Sequence, residues 1–187
     1  MALALLLSVG AAPTQAQQPT TLAPVTVTAR GNTDPVEKSY VKMIRGMDLF
    51  EQNKAMAPGA TLRYKLLPRR PDSRMDDLRV QVLGKTVELT VPVAADHTFT
   101  LTRDPKALAE NAVVVLERRA MTMTWRTDIR SPGVPDGMRR LGDLRLECEV
   151  GLEAGLVSNV RSILDEISNA LTRPGFCKRN PARYYFF

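Results

Sequence analysis

The stretch "LRVQVLGKTVELTVPVAADHTFTLT", residues 78–102, decides the fold class. Apolar side chains recur at every second position: Leu78, Val80 and Val82 before Gly84–Lys85, then Val87, Leu89, Val91 and Val93 after it. A period of two puts these seven on one face of a β-hairpin turning at Gly84–Lys85. A second tip follows at Ala94–Ala95–Asp96–His97, because the alternation resumes with Phe99 and Leu101.

The same period extends outward along the chain. Leu62, Tyr64 and Leu66 alternate with Arg63 and Lys65, and "PRRPDSRMDD" then makes a polar loop in which Asp76–Asp77 has no special role. Further strands are expected at "TFTLT", "VVVLE", "MTMTWRTDI", "RLGDLRLECEV" and the terminal "ARYYFF". About eight short strands make the chain mainly β, and the expected fold is an antiparallel β-sandwich. Two amphipathic helices flank it. The first is expected near 35–53, with Asp34 as cap, Pro35 at the first helical position and Glu37 completing a capping box. Its apolar stripe is Val36, Tyr40, Met43, Ile44, Met47 and Phe50, and "APG" at 57–59 stops it. The second is expected near 156–171, with Leu156, Val160, Ile163, Leu164, Ile167 and Leu171 on one side.

At 187 residues the chain fits one domain with an ordinary core, expected over 34–187. Residues 1–16, "MALALLLSVGAAPTQA", read as a signal peptide. Ala2–Val9 is apolar, small residues follow, and "TQA" suits cleavage, although no basic residue precedes Arg30. The apolar run is too short to cross a bilayer. Residues 17–33 form a Pro- and Thr-rich flexible linker. A periplasmic or secreted location follows, and in such an oxidising compartment Cys148 and Cys177 are expected to pair.

The tip at 94–97 resembles the "D-G-x-F-x-L" hairpins of transthyretin-like and carboxypeptidase-regulatory-like sandwiches, with His97 in the place of glycine. That resemblance implies a β-sandwich and no chemistry. His97, the single histidine, is therefore read as a turn residue, which leaves most acid–base schemes without their base. No Gly-x-Ser-x-Gly elbow, Walker loop, His-Glu-x-x-His or Cys-x-x-Cys is present, so no catalytic residue and no cofactor is assigned. An envelope hydrolase is the least supported reading. Glu147 and Glu149, read on a strand, would share a solvated outer face with Arg145, opposite Leu144, Leu146, Cys148 and Val150.

Two other patterns bear on binding. Met121, Met123 and Trp125 fall on one strand face. "MTMTW" resembles small periplasmic copper chaperones of the β-barrel type, whose soft thioethers select Cu(I). The competing expectation, preferred here, is that the stripe packs the core. Arginine outnumbers lysine 19 to 7 and the net charge is +6. The cations concentrate at Arg118–Arg119 and Arg139–Arg140, and at Arg173, Lys178, Arg179 and Arg183 in a tail without an acid after Glu166. Their planar forks suit phosphate and carboxylate, so an anionic envelope component is the candidate partner. Nucleic acid is disfavoured by export and by only 5% aromatic residues.

"LAPVTVTAR" at 22–30 resembles the start of mature TonB-dependent receptors, and "YYFF" resembles the last strand of outer-membrane barrels. The chain is too short for a receptor, and Pro181 and Arg183 interrupt the alternation of a barrel strand. "MDLFEQNKAMAPGATLRYKLLPR" with "RRLGDLRLECEV" resembles a group of exported proteobacterial proteins, which implies export and no particular activity. The expectation is a non-enzymatic binding or accessory module of the cell envelope, with copper handling through Met121 and Met123 as the alternative.

Overall fold

Among the described residues, seven strands form two antiparallel sheets. They are Pro35–Ser39 (β1), Thr61–Pro68 (β2), Val80–Leu83 (β3), Glu88–Val91 (β4), Thr98–Phe99 (β5), Val113–Arg119 (β6) and Met123–Arg130 (β7). One sheet has the order β1-β6-β3-β4 and the other β5-β2-β7. Helices are Tyr40–Gln52 (α1), Pro105–Ala109 (α2), Leu141–Glu153 (α3) and Phe176–Arg179 (α4), with a 3-10 turn at Lys54–Met56. The computed structural model describes residues 35–119, 122–156, 175–179 and 181, which belong to one compact unit, Asn32–Phe187. The expected leader, linker, terminal strand and all of the 156–171 helix beyond Leu156 lie outside the described residues.

The hairpin expected at 78–93 is present as β3 and β4, paired Val80 with Val91 and Val82 with Leu89. All seven of its alternating apolar residues lie in or against the main core cluster. Residues of both sheets meet there: Val80, Val82, Val114 and Leu116 from one, Tyr64, Leu66, Phe99, Met123 and Trp125 from the other. α1 adds Tyr40, Met43 and Ile44 to that cluster. Tyr40 also ties the loop before α2, donating its hydroxyl to Thr102 O at 2.5 Å and accepting from Asp104 N at 2.8 Å.

Three expectations are corrected. The first helix starts five residues late, because Pro35–Ser39 pairs with the valine-rich β6 and Ser39 Oγ, not Asp34, caps α1 by accepting from Lys42 N. "TFTLT" contributes two strand residues only. The third correction matters most: "RLGDLRLECEV" is a helix. Leu, Arg and Glu propagate a helix well, and no β-branched residue occurs from Leu141 to Glu149. The alternation that suggested a strand coincides with a three- and four-residue spacing of Asp143, Leu146, Glu147, Val150 and Ala154, and all five are buried. α3 packs against α1 and β7, where Leu146 and Val150 join Phe50, Ala57, Ala60 and Ile129 in a second cluster. Gly46 lets the two helices close, since a Cβ there would come within 2.9 Å of Ala154 Cβ.

Candidate functional site

Two of the three carboxylates buried among the described residues, Asp143 and Glu147, lie where α3 meets β7. Glu147, 3% exposed, accepts from Ile129 N at 2.8 Å and from Arg139 Nη2 at 2.5 Å through Oε1. Its Oε2 lies 3.4 Å from Arg126 Nη2. Arg139 Nη2 also donates to Ile129 O at 2.9 Å. One turn earlier, Asp143 accepts from Ser131 N at 2.9 Å and from its hydroxyl at 2.7 Å. Thr127 Oγ1 donates to Glu147 O at 2.7 Å. α3 and the loop before it thus supply to the edge of β7 the donors and acceptors that a neighbouring strand would supply. Glu147 and Glu149 do not share a face: two residues apart on a helix they diverge by about 200°. Glu149 is half-buried and lines a pocket with Leu49, Leu152 and Lys178.

Burial raises the Glu147 carboxyl above its usual range, opposed by the Ile129 amide and by Arg139 and Arg126. A buried carboxylic acid of raised pKa is the attribute of a general acid. Here, however, its oxygens are engaged by a backbone amide and two guanidinium groups. The arrangement holds a helix on a sheet edge.

His97 stands at the hairpin tip with φ +62°, the left-handed conformation glycine takes most easily. Its N–H donates to Ala94 O at 2.8 Å, and its carbonyl accepts from Leu66 N at 3.0 Å. Asp96 Oδ1 closes the turn by accepting from Thr98 N and Oγ1. Of the methionine stripe, Met123 and Trp125 are buried in the main cluster, with Trp125 edge-on to Phe99, while Met121 lies outside the described residues. Cys148 and Cys177 are joined in a disulfide with Cα atoms 5.6 Å apart, and both are buried. It links α3 to α4, where Arg145 Nη2 also donates to Lys178 O at 3.2 Å.

Of the cations singled out from the sequence, two are engaged within the fold. Arg139 is engaged with Glu147, and Arg118 donates to Glu117 O and Asp76 O. Arg140 and Lys178 are exposed. The side chains of Arg119 and Arg179, and all of Arg173 and Arg183, lie outside the description. A further cationic face, unnoticed in the sequence, is present on the β5-β2-β7 sheet. There Arg63, Lys65, Arg126 and Arg130 turn away from Tyr64, Leu66 and Trp125. The strand alternation was the available signal, since Arg63 and Lys65 are the polar half of a recognised period. A separate pocket of about 350 Å³ opens between α1 and β2, with Met47, Phe50, Leu62 and Leu101 inside and Lys54 and Arg103 among its polar lining residues. Both cations are paired, Lys54 with Glu51 at 3.1 Å and Arg103 with Asp48 at 2.6 Å. No family model, curated protein or solved structure matches this chain.

Proposed function

We propose that the chain is an exported, non-enzymatic binding or accessory module of the cell envelope. In this reading it is a β-sandwich that recognises an anionic envelope component through arginine-rich surface. One observation carries this: among the described residues three carboxylates are buried against one cation, Lys38. Asp128, Asp143 and Glu147 are buried at 3%, 1% and 3% exposure, whereas Arg130, Arg140 and Lys178 are exposed. Water therefore meets a surface more basic than the net charge of +6 alone implies. The buried disulfide supports an oxidising compartment, and the shared core of the two sheets supports a sandwich. Copper handling receives no such support, because the Met123 thioether is already packed in the core.

The test is sedimentation of purified mature chain with isolated envelope membranes over a salt series. Retention at low salt and release at about 0.5 M is expected, where screening acts within about 4 Å. Failure to sediment at any salt concentration would overturn the proposal.

A further inference from the structure

We propose that the outer face of the β5-β2-β7 sheet is a docking surface for an anionic lipid bilayer, with Lys65 and Arg126 at its centre. The inference deepens the binding reading above and rests on it. In the antiparallel register Lys65 lies directly opposite Arg126, Arg63 opposite Asp128, and Thr61 opposite Arg130. The two carboxylates on this side are already occupied. Asp128 takes Arg63 Nη2 at 2.8 Å and Arg130 Nε at 3.0 Å, and Asp96 takes Arg63 Nη1 at 3.1 Å. Arg126 reaches only the far oxygen of Glu147, at 3.4 Å, and that carboxylate is bound more closely by Arg139. Lys65 makes no ion pair with another described residue. An ammonium and a guanidinium thus face each other across two strands, with Cβ atoms about 5 Å apart, the ammonium drawn only at longer range by Asp96 and the guanidinium 3.4 Å from Glu147.

Like charges in direct opposition repel, and an anion placed between them turns the repulsion into two attractions. The guanidinium fork and the ammonium both donate to phosphate oxygens. Shape decides between a small anion and a surface. These side chains project from a sheet face, and neither described pocket includes them. A broad array of cations held at fixed spacing suits the headgroup plane of a bilayer, where each basic side chain strengthens attachment about fivefold.

The experiment uses the full mature chain and vesicles of neutral phosphatidylcholine, alone or with one-third phosphatidylglycerol, scored by co-sedimentation. Binding to the anionic vesicles alone is expected. Lys65→Glu, a change of two charges, should weaken it at least tenfold, and Arg126→Gln several-fold. Arg140→Gln and Lys178→Gln, exposed cations elsewhere, should stay within about twofold. Unfolding followed by Trp125 fluorescence shows which variants retain the fold, and Lys65→Gln replaces Lys65→Glu should the latter unfold. Equal weakening by all four substitutions would overturn the face assignment and leave the general reading standing. Loss of vesicle binding in 10 mM inorganic phosphate at constant ionic strength, the mark of a small-anion site, would overturn the bilayer as the occupant. Retention on envelope membranes without binding to anionic vesicles would overturn the lipid assignment alone.

Discussion

Replacing Glu147 by alanine should destabilise the chain by about 3 kcal/mol. The side chain is 3% exposed and binds Ile129 N at 2.8 Å and Arg139 Nη2 at 2.5 Å. Its removal leaves the Ile129 amide unpaired, a loss of about 1–3 kcal/mol. It also strips Arg139, whose side chain is 18% exposed, of its counter-ion. Breaking a buried pair costs about 3–5 kcal/mol, and the lower end applies because the raised Glu147 pKa shows that burying this carboxylate is itself unfavourable. Urea unfolding followed by the fluorescence of Trp125, the single tryptophan and a resident of β7, measures the effect. Glu147→Gln, which keeps an acceptor for Ile129 N, should fall between alanine and wild type. Since the folded pKa lies above the unfolded value, the favourable contribution of this group is complete below about pH 4 and declines as pH rises. The wild-type advantage over Glu147→Gln should therefore shrink from acid to neutral pH. A loss below 1 kcal/mol for Glu147→Ala would refute the edge-holding role.

Reducing the Cys148–Cys177 bond should cost about 3–4 kcal/mol for a separation of 29 residues, read as a lower urea midpoint; an unchanged midpoint would contradict it. Burial lowers the Lys38 ammonium from 10.5 to about 8. Stability should accordingly rise as pH climbs from about 8 to 10.5, because the unfolded chain then binds the extra proton. Lys38→Met should remove that rise, so the difference from wild type should change between about pH 8 and 10.5, whereas a pH-independent difference would count against it. His97→Gly should leave stability unchanged or raise it by up to about 1 kcal/mol, since φ is +62° there; a loss above 1 kcal/mol would assign the imidazole a role.

The hairpin was legible because burial of one face imposes a strict period of two, and β3 and β4 obey it without competing demands. α1 was legible as a helix but not at its start, since Pro35 and Glu37 satisfy helix rules that pairing with β6 overrides. α2 carried its own signal, Asp104 capping Ala107 N ahead of Pro105, in a segment too short for a periodic stripe. α3 was misread because its inward face is half polar. Asp143 and Glu147 turn inward to bind β7 backbone, a partnership no hydrophobic pattern can display. That misreading also placed Glu147 on a solvated face and hid its ion pairs with Arg139 and Arg126. Cys148 remained correctly placed as a buried sulfur, for the different reason that it lies on the covered side of a helix.

The most direct measurement is fractionation of cells holding the native chain at low and high salt, followed by intact mass and thiol alkylation of what is recovered. An exported envelope module should be extracytoplasmic, sediment with membranes until salt releases it, begin near Gln17 and show no reactive thiol. A chain recovered from the cytosol, beginning at Met1 and carrying two alkylatable cysteines, would contradict that reading.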